Sequence, residues 1–178
     1  SAAIGQGHLM HLYGEHFRSR GRLVGQILLT QDDFDDRRRY LNIKHTIDRL
    51  IEHKAVPIIN ENDTVATEEI KCGDNDRISM LVSDLVRAEM LVILTDVDGL
   101  LDEEGRVIRV VEEMTPKILK LAGKSSCDLG TGGMATKLAS ALAATESGID
   151  CVIANGTVKD AIRRAVKGEI GTLFTGRA

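Results

Sequence analysis

A glycine-rich turn, residues 130–137 (GTGGMATK), opens directly onto a stretch with the composition of a helix. Residues without side chains let backbone N–H groups approach an anion, and a helix start adds unpaired donors with a partial positive charge. Lys137, one turn into the helix, could supply a full positive charge to a phosphoryl group in transfer. The segment therefore predicts a phosphate grip, with a tight turn before an ordinary surface lysine as the alternative. It is not a Walker A loop, because Leu138 follows Lys137.

A second group of polar residues ends the most apolar segment of the chain. Thr95 and Asp96 follow the run MLVIL, and side chains at the carboxyl end of a strand in an open sheet are positioned to meet a ligand. Hydrogen bonds from this pair to the base or ribose of a nucleotide are the predicted chemistry. The following Asp98 and Gly99 indicate a turn of the chain.

Two loops rich in Asn and Asp form the third group: residues 60–63 (NEND) after the apolar run AVPII, and residues 73–76 (GDND) before the next helix. Ordinary turns and helix caps would use the same residue types. A pocket for a small polar molecule is the other interpretation, with amides binding its carboxylates and acids its ammonium group. The pattern alone does not decide between the two.

The elements that must position these groups alternate in type along the chain. Short apolar runs predict strands at 24–30, 55–60, 90–97 and 150–155, and residues 105–111 indicate part of a hairpin or a sheet edge. Helical spacing of apolar residues predicts helices at 40–52, 76–87, 134–147 and 160–167. The alternation is typical of a doubly wound α/β fold in one domain, with ligands at the carboxyl ends of the strands.

Composition narrows the classes of function. The 178 residues are 43% hydrophobic but only 3% aromatic, and the net charge of −4 gives no basic field for nucleic acid. The three cysteines, Cys72, Cys127 and Cys151, lack the spacing of a zinc site and are expected to be reduced thiols. No segment has the pattern of a signal peptide or a membrane span, so we expect a cytoplasmic protein.

Taken in order, five segments resemble the glutamate 5-kinases (gamma-glutamyl kinases) of the amino acid kinase family: residues 26–42 (QILLTQDDFDDRRRYLN), 56–79 (VPIINENDTVATEEIKCGDNDRIS), 91–100 (LVILTDVDGL), 129–141 (LGTGGMATKLASA) and 168–174 (GEIGTLF). The resemblance implies a three-layer αβα sandwich with a mainly parallel open sheet. It also implies phosphorylation of the gamma-carboxylate of L-glutamate by ATP, with Mg²⁺ carried on the nucleotide. That reaction is the first step of proline biosynthesis.

The same resemblance implies roles for individual residues. Asp63 and Asn75 would contact glutamate, and Asp76 would hold the catalytic Lys137 in place. Thr95 and Asp96 would touch the nucleotide, whose phosphates would be wrapped by Thr131, Gly132, Gly133, Met134, Ala135, Thr136 and Lys137. A homo-oligomer, dimer or tetramer, and feedback inhibition by proline are also implied.

The chain departs from the family pattern at both ends. The family begins with a strand carrying a phosphate-binding lysine and later has a Ser-Ser-Gly-Ala-like turn, whereas residues 1–10 (SAAIGQGHLM) match only the helix that follows those elements. We therefore expect an N-terminally incomplete amino acid kinase domain over residues 1–178, without the C-terminal RNA-binding-like domain that many members carry. Loss of one of two transition-state cations would cost several powers of ten in rate. The alternatives are a related kinase acting on acetylglutamate, aspartate, carbamate or uridylate, and a non-catalytic module that binds a nucleotide or an amino acid.

Overall fold

The computed structural model describes residues 2–62, 74–121 and 133–176. The chain divides into two compact units, Ser1–Ile70 and Lys71–Ala178. The single domain over residues 1–178 stays a prediction. Within the described ranges, no helix has the length and apolar character needed to cross a membrane.

The first unit is built on two parallel strands. Its elements are α1 Ala2–Arg18, β1 Leu23–Leu29, α2 Asp32–Asp35, α3 Arg37–Glu52 and β2 Ala55–Glu61. The strands pair from Leu23 opposite Ala55 to Leu29 opposite Glu61. Helix α3 makes the crossover that a parallel pair requires, and it buries Ile43 and Ile47, four residues apart on one face.

A small polar network fixes the chain where β1 ends. The Asp33 carboxylate accepts hydrogen bonds from the N–H and the hydroxyl of Thr30, at 2.8 and 2.9 Å, and pairs with Arg39 at 3.1 Å. Partial burial would raise the pKa of Asp33, but the two bonds from Thr30 and the Arg39 guanidinium together hold it below its ordinary value. These contacts hold the turn between the end of β1 and the start of α2.

The second unit contains a four-stranded sheet. Its elements are α4 Asp74–Val86, β3 Met90–Thr95, β4 Val110–Val111, α5 Pro116–Leu121, α6 Met134–Glu146, β5 Asp150–Asn155, α7 Ala161–Val166 and β6 Thr172–Phe174. The strand order is β3-β5-β6-β4. Strands β3 and β5 are parallel, as are β4 and β6, while β5 and β6 are antiparallel.

Helices cover both faces of this sheet. One face contributes Leu91, Ile93, Cys151 and Ile153 to a buried cluster that also contains Leu138, Ala141 and Ala144 of α6. The other face contributes Val152 and Ala154, which pack with Ala165 of α7. The alternation follows from the two-residue period of a strand, and it gives the second unit the predicted three-layer αβα arrangement. The mainly parallel α/β fold class is confirmed.

The predicted strands and helices agree with the structure to within a few residues, and the differences are local. Residues 105–111 hold both predicted features, since Leu101 and Val107 form an antiparallel bridge and β4 lies at the sheet edge. Helix α1 was implied over residues 1–10 by the family resemblance alone, and the short helices α2 and α5 and the short strand β6 were not predicted. Strand β6 follows Gly171, whose φ of +85° and close approach to the carbonyl of Ile153 exclude a side chain.

Candidate active site

The carboxyl ends of two parallel strands form the floor of the candidate site in the second unit. Thr95, the last residue of β3, is in register with Asn155, the last residue of β5. The N–H of Gly156 donates to the carbonyl of Thr95 at 2.8 Å, so the chain segments that follow β3 and β5 stay hydrogen-bonded to each other. Polar groups at such an edge are in the usual place for a ligand in an open α/β sheet.

Two helices begin at the same edge of the sheet. Helix α4 leads into β3 through residues 87–89, and α6 leads into β5 through residues 147–149. Because each helix packs on the strand that follows it through a short connection, it runs back along that strand and its N-terminus lies near the strand's carboxyl end. The first turns of α4 and α6 therefore meet at this edge.

An ion pair joins those two first turns. The Lys137 ammonium lies 3.0 Å from the Asp76 carboxylate, and the two side chains are only 12% and 17% exposed. A charge-assisted hydrogen bond at this depth is stronger than a surface pair, because less water screens it. Asp76 thereby fixes the direction of the Lys137 side chain.

Thr136 adds a second donor to the same carboxylate. Its hydroxyl lies 3.1 Å from the Asp76 oxygen that Lys137 contacts and 2.8 Å from the carbonyl of Gly133. One hydroxyl proton faces two acceptors, and the carboxylate is the stronger of them. The first turn of α6 is thus attached to Asp76 through two successive side chains.

The start of α6 suits an anionic ligand. Gly133 is the N-cap residue, its backbone is extended, and no side chain caps the helix. The N–H groups of Thr136 and Lys137 point to the Gly133 carbonyl, at 3.1 and 3.4 Å. The N–H groups of the first helical turn before them have no acceptor within the helix, so they are available to a phosphate oxygen.

A buried thiol lies beneath the site. Cys151 on β5 is fully buried. Burial, and with it the negative charge of Asp76, raises the pKa of Cys151 to about 12. A protonated, inaccessible thiol cannot act as a nucleophile, so Cys151 is a packing residue here.

Within residues 2–62, 74–121 and 133–176, no group of three or more His, Cys, Asp or Glu side chains could hold a metal ion. The acid that contacts the first turn of α6, Asp76, already accepts from Lys137 and Thr136. This donor set fits a metal ion that arrives on a nucleotide's phosphates better than one held by a carboxylate cage.

Comparison with known proteins gives this geometry its context. The model of the amino acid kinase family matches residues 1–155. The chain belongs to the amino acid kinase family. It is 48% identical over 180 residues to a glutamate 5-kinase of Caldanaerobacter subterraneus subsp. tengcongensis, covering 97% of this chain and 48% of that relative. A glutamate 5-kinase of Clostridium acetobutylicum is 45% identical, with 98% of this chain and 68% of the relative covered.

Solved structures show the same fold. The Giardia carbamate kinase matches with a TM-score of 0.63 and 17% identity, over 98% of this chain and 72% of that chain. An N-acetylglutamate synthase of Neisseria gonorrhoeae matches with a TM-score of 0.57 and 18% identity, over 76% and 31%. The chain spans about half the length of the Caldanaerobacter relative and about two thirds of the length of the Clostridium relative.

For this member of the amino acid kinase family, the structure brings together part of the predicted site. Asp76, Lys137 and Thr136 are in contact. Asn75 is exposed on the first turn of α4, and Thr95 donates to the carboxylate of Asp96 at 3.1 Å. Gly133, Met134 and Ala135 form the start of α6, whereas Asp63, Thr131 and Gly132 lie outside the described residues. The catalytic and binding roles of all these residues stay predictions.

A second group of polar residues, at the end of β5 beside Thr95, was not predicted from the sequence. The Asn155 amide donates to Asp98 at 2.8 Å, and its oxygen accepts from the N–H and hydroxyl of Thr157 at 2.9 and 2.7 Å. Asp98 was predicted only to turn the chain. The rule that selected Thr95 and Asp96, polar residues directly after a buried strand, applies equally to residues 155–157 and could have found them.

Proposed function

We propose that the chain belongs to an ATP-dependent kinase that phosphorylates the gamma-carboxylate of L-glutamate, giving gamma-glutamyl phosphate and ADP. The observation that carries the proposal is the Lys137 ammonium, held 3.0 Å from Asp76 in the first turn of α6. Similarity to relatives named glutamate 5-kinase supports the substrate. The proposed reaction is the first step of proline biosynthesis.

The proposed reaction requires positive charge near the reacting anions and does not require a general base. A glutamate carboxylate is already ionised at neutral pH, so its oxygen can attack the gamma phosphorus directly. The new O–P bond forms as the bond from the gamma phosphorus to the bridging oxygen breaks, and ADP leaves with those electrons. The barrier comes largely from bringing anions together, which preorganised cations and N–H groups lower.

The residues of the chain divide this task. Lys137 would neutralise charge on the transferred phosphoryl group, while the N–H groups at the start of α6 would bind the phosphate oxygens. Mg²⁺, carried on ATP, would supply further neutralisation. Asp76 and Thr136 would keep the ammonium in position, and Thr95 and Asp96 would hold the nucleoside end of ATP. Asn75 and Asp63 would contact glutamate.

The family resemblance also suggests three further properties, and we include them in the proposal. They are a cytoplasmic location, a homo-oligomeric assembly and feedback inhibition by proline. Gel filtration coupled to light scattering would measure the assembly, and a proline titration of the activity would measure the inhibition.

Trapping the acyl phosphate with hydroxylamine tests the reaction in the natural full-length protein. We expect hydroxamate and ADP to form in equal amounts with L-glutamate, and neither with acetylglutamate or aspartate. Product from acetylglutamate but not from glutamate would overturn the substrate. If calorimetry showed saturable ATP binding and no ADP formed, the protein would be a nucleotide-binding module rather than a kinase.

A further inference from the structure

The loop that carries Asp96 is held at both of its ends by residues that follow β5. The N–H of Gly156 donates to the carbonyl of Thr95 at 2.8 Å, and the side-chain amide of Asn155 donates to the carboxylate of Asp98 at 2.8 Å. Asp96 lies between these two contacts and is exposed, so a ligand can reach it from solvent. The end of one strand thus fixes the loop that leaves its neighbour.

The direction of the bond from Asn155 is set by its other contacts. The amide oxygen of Asn155 accepts from the N–H of Thr157 at 2.9 Å and from its hydroxyl at 2.7 Å. A backbone N–H can only donate, so the amide oxygen must face Thr157 and the amide nitrogen must face Asp98. The bond to Asp98 has a charged acceptor, which makes it stronger than one between neutral groups.

Fixing this loop before a ligand arrives changes the free energy of binding. A surface loop has many backbone conformations, and ordering it in one of them costs conformational entropy. Where the fold already holds the loop, ligand binding does not have to supply that free energy. Only Val97 separates Asp96 from Asp98 in the sequence, so the bond to Asn155 restricts the backbone at the position of Asp96 as well.

We propose that Asn155 is a positioning residue for nucleotide binding, which acts through Asp98 by holding the loop of Asp96 in its binding conformation. The inference rests on the proposed function for the assignment of Thr95 and Asp96 to the nucleoside end of ATP. It adds the end of β5 to a nucleotide site that the sequence places only at the end of β3 and the start of α6.

Asn155→Asp tests the inference in the natural full-length protein. The new carboxylate still accepts from Thr157, but its second oxygen faces Asp98, so a like charge replaces the donor. We expect KM and Kd for ATP to rise about fivefold to tenfold, because the loop must now be ordered on binding. KM for glutamate should stay within about twofold of the wild-type value. Asn42→Asp, the same change at an exposed position of α3, is the matched control.

A reversed pair provides the rescue. In the double variant Asn155→Asp, Asp98→Asn the donor and the acceptor change places, so the hydrogen bond can form in the opposite direction. We expect this variant to return KM for ATP to within about twofold of the wild-type value. A double variant as weak as the single one would exclude the hydrogen bond as the cause.

A purely structural role gives a different result. The inference would be wrong if Asn155→Asp lowered the thermal stability without changing KM for ATP, or if it raised KM for glutamate as much as KM for ATP. The wild-type turnover of glutamate tests the proposed function separately. Should the wild type bind ATP without phosphorylating glutamate, the Kd values for ATP of the same proteins in calorimetry would still decide the role of Asn155.

Discussion

Lys137 and Asp76 are separated by 61 positions in the sequence, yet their charged groups lie 3.0 Å apart in the structure. The contact connects the first turns of α4 and α6, which both begin at the carboxyl edge of β3 and β5. Helix α4 thus provides the carboxylate of the pair, and helix α6 provides the ammonium.

Removing the Lys137 ammonium should separate turnover from nucleotide affinity. We expect Lys137→Ala to lower kcat by about 100-fold to 1,000-fold, the usual effect of losing one preorganised electrostatic group. The Kd for ATP should rise by less than about tenfold, because the N–H groups of α6 remain. Steady-state kinetics and calorimetry measure the two quantities. Lys120→Ala, on α5, is the control, and near-normal turnover of Lys137→Ala would refute the assigned role.

The hydroxyl of Thr136 should act on catalysis through Asp76. Thr136→Val keeps the shape but removes the bond to the carboxylate, and we expect kcat to fall about tenfold, the equivalent of one charge-assisted hydrogen bond of roughly 1.4 kcal/mol. Thr136→Ser retains the hydroxyl and should restore most of the rate. If valine and serine gave equal rates, the hydroxyl would have no positioning role.

Cys151 should make the protein less stable in alkali. Its folded pKa, raised to about 12, lies above the ordinary value of 9.0, so its proton is retained in the folded state after the unfolded chain has lost it. Its contribution is complete below pH 9 and is lost as the pH rises toward 12, at up to about 1.4 kcal/mol per pH unit. Urea unfolding at pH 8, 9 and 10 should show the wild type losing more stability than Cys151→Ala. Parallel curves for the two proteins would contradict this expectation.

Two glycines with similar backbones should differ in their tolerance of alanine. Gly171 and Gly105 have φ of +85° and +79°, but a Cβ at Gly171 would lie 2.6 Å from the Ile153 carbonyl, whereas the space around Gly105 is open. We expect Gly171→Ala to cost about 3 kcal/mol of unfolding free energy, from backbone strain and overlap together, and Gly105→Ala about 1 kcal/mol, from strain alone. Thermal and urea unfolding measure both, and equal losses would show that the close approach does not matter.

The sequence predicted most of the fold because most of the long elements carry their own periodicity; the exception is α1, which has little amphipathic pattern. Strands β3 and β5 are apolar on both faces, as buried parallel strands must be, and α3 and α4 show clear amphipathic spacing. Strand β6 has three residues, too few for a period to appear, and its place in the sheet depends on contacts with β4 and β5 that no local pattern encodes. Such an element is found only through the tertiary structure.

The candidate site was predictable in its residue types but not in its contacts. The glycine turn before α6 and the polar end of β3 follow from general rules about anions and sheet edges. Nothing in the spacing indicates that Thr136 and Lys137 reach the same oxygen of Asp76, because that depends on how α4 and α6 pack. The pairing of Asn155 with Asp98 is likewise a property of neighbouring strands.

Thr172 has a consequence for engineering this protein. Its hydroxyl, fully buried on β6, accepts from the N–H of Leu100 at 2.8 Å, and this bond anchors the chain before the hairpin that bridges Leu101 and Val107. The hairpin tip beyond that anchor is exposed, and Gly105 has open space around it. We therefore expect the hairpin tip to accept a fluorescent label or a short epitope. The Thr172 bond should keep the strand ends in place, so such an insertion should leave the activity unchanged.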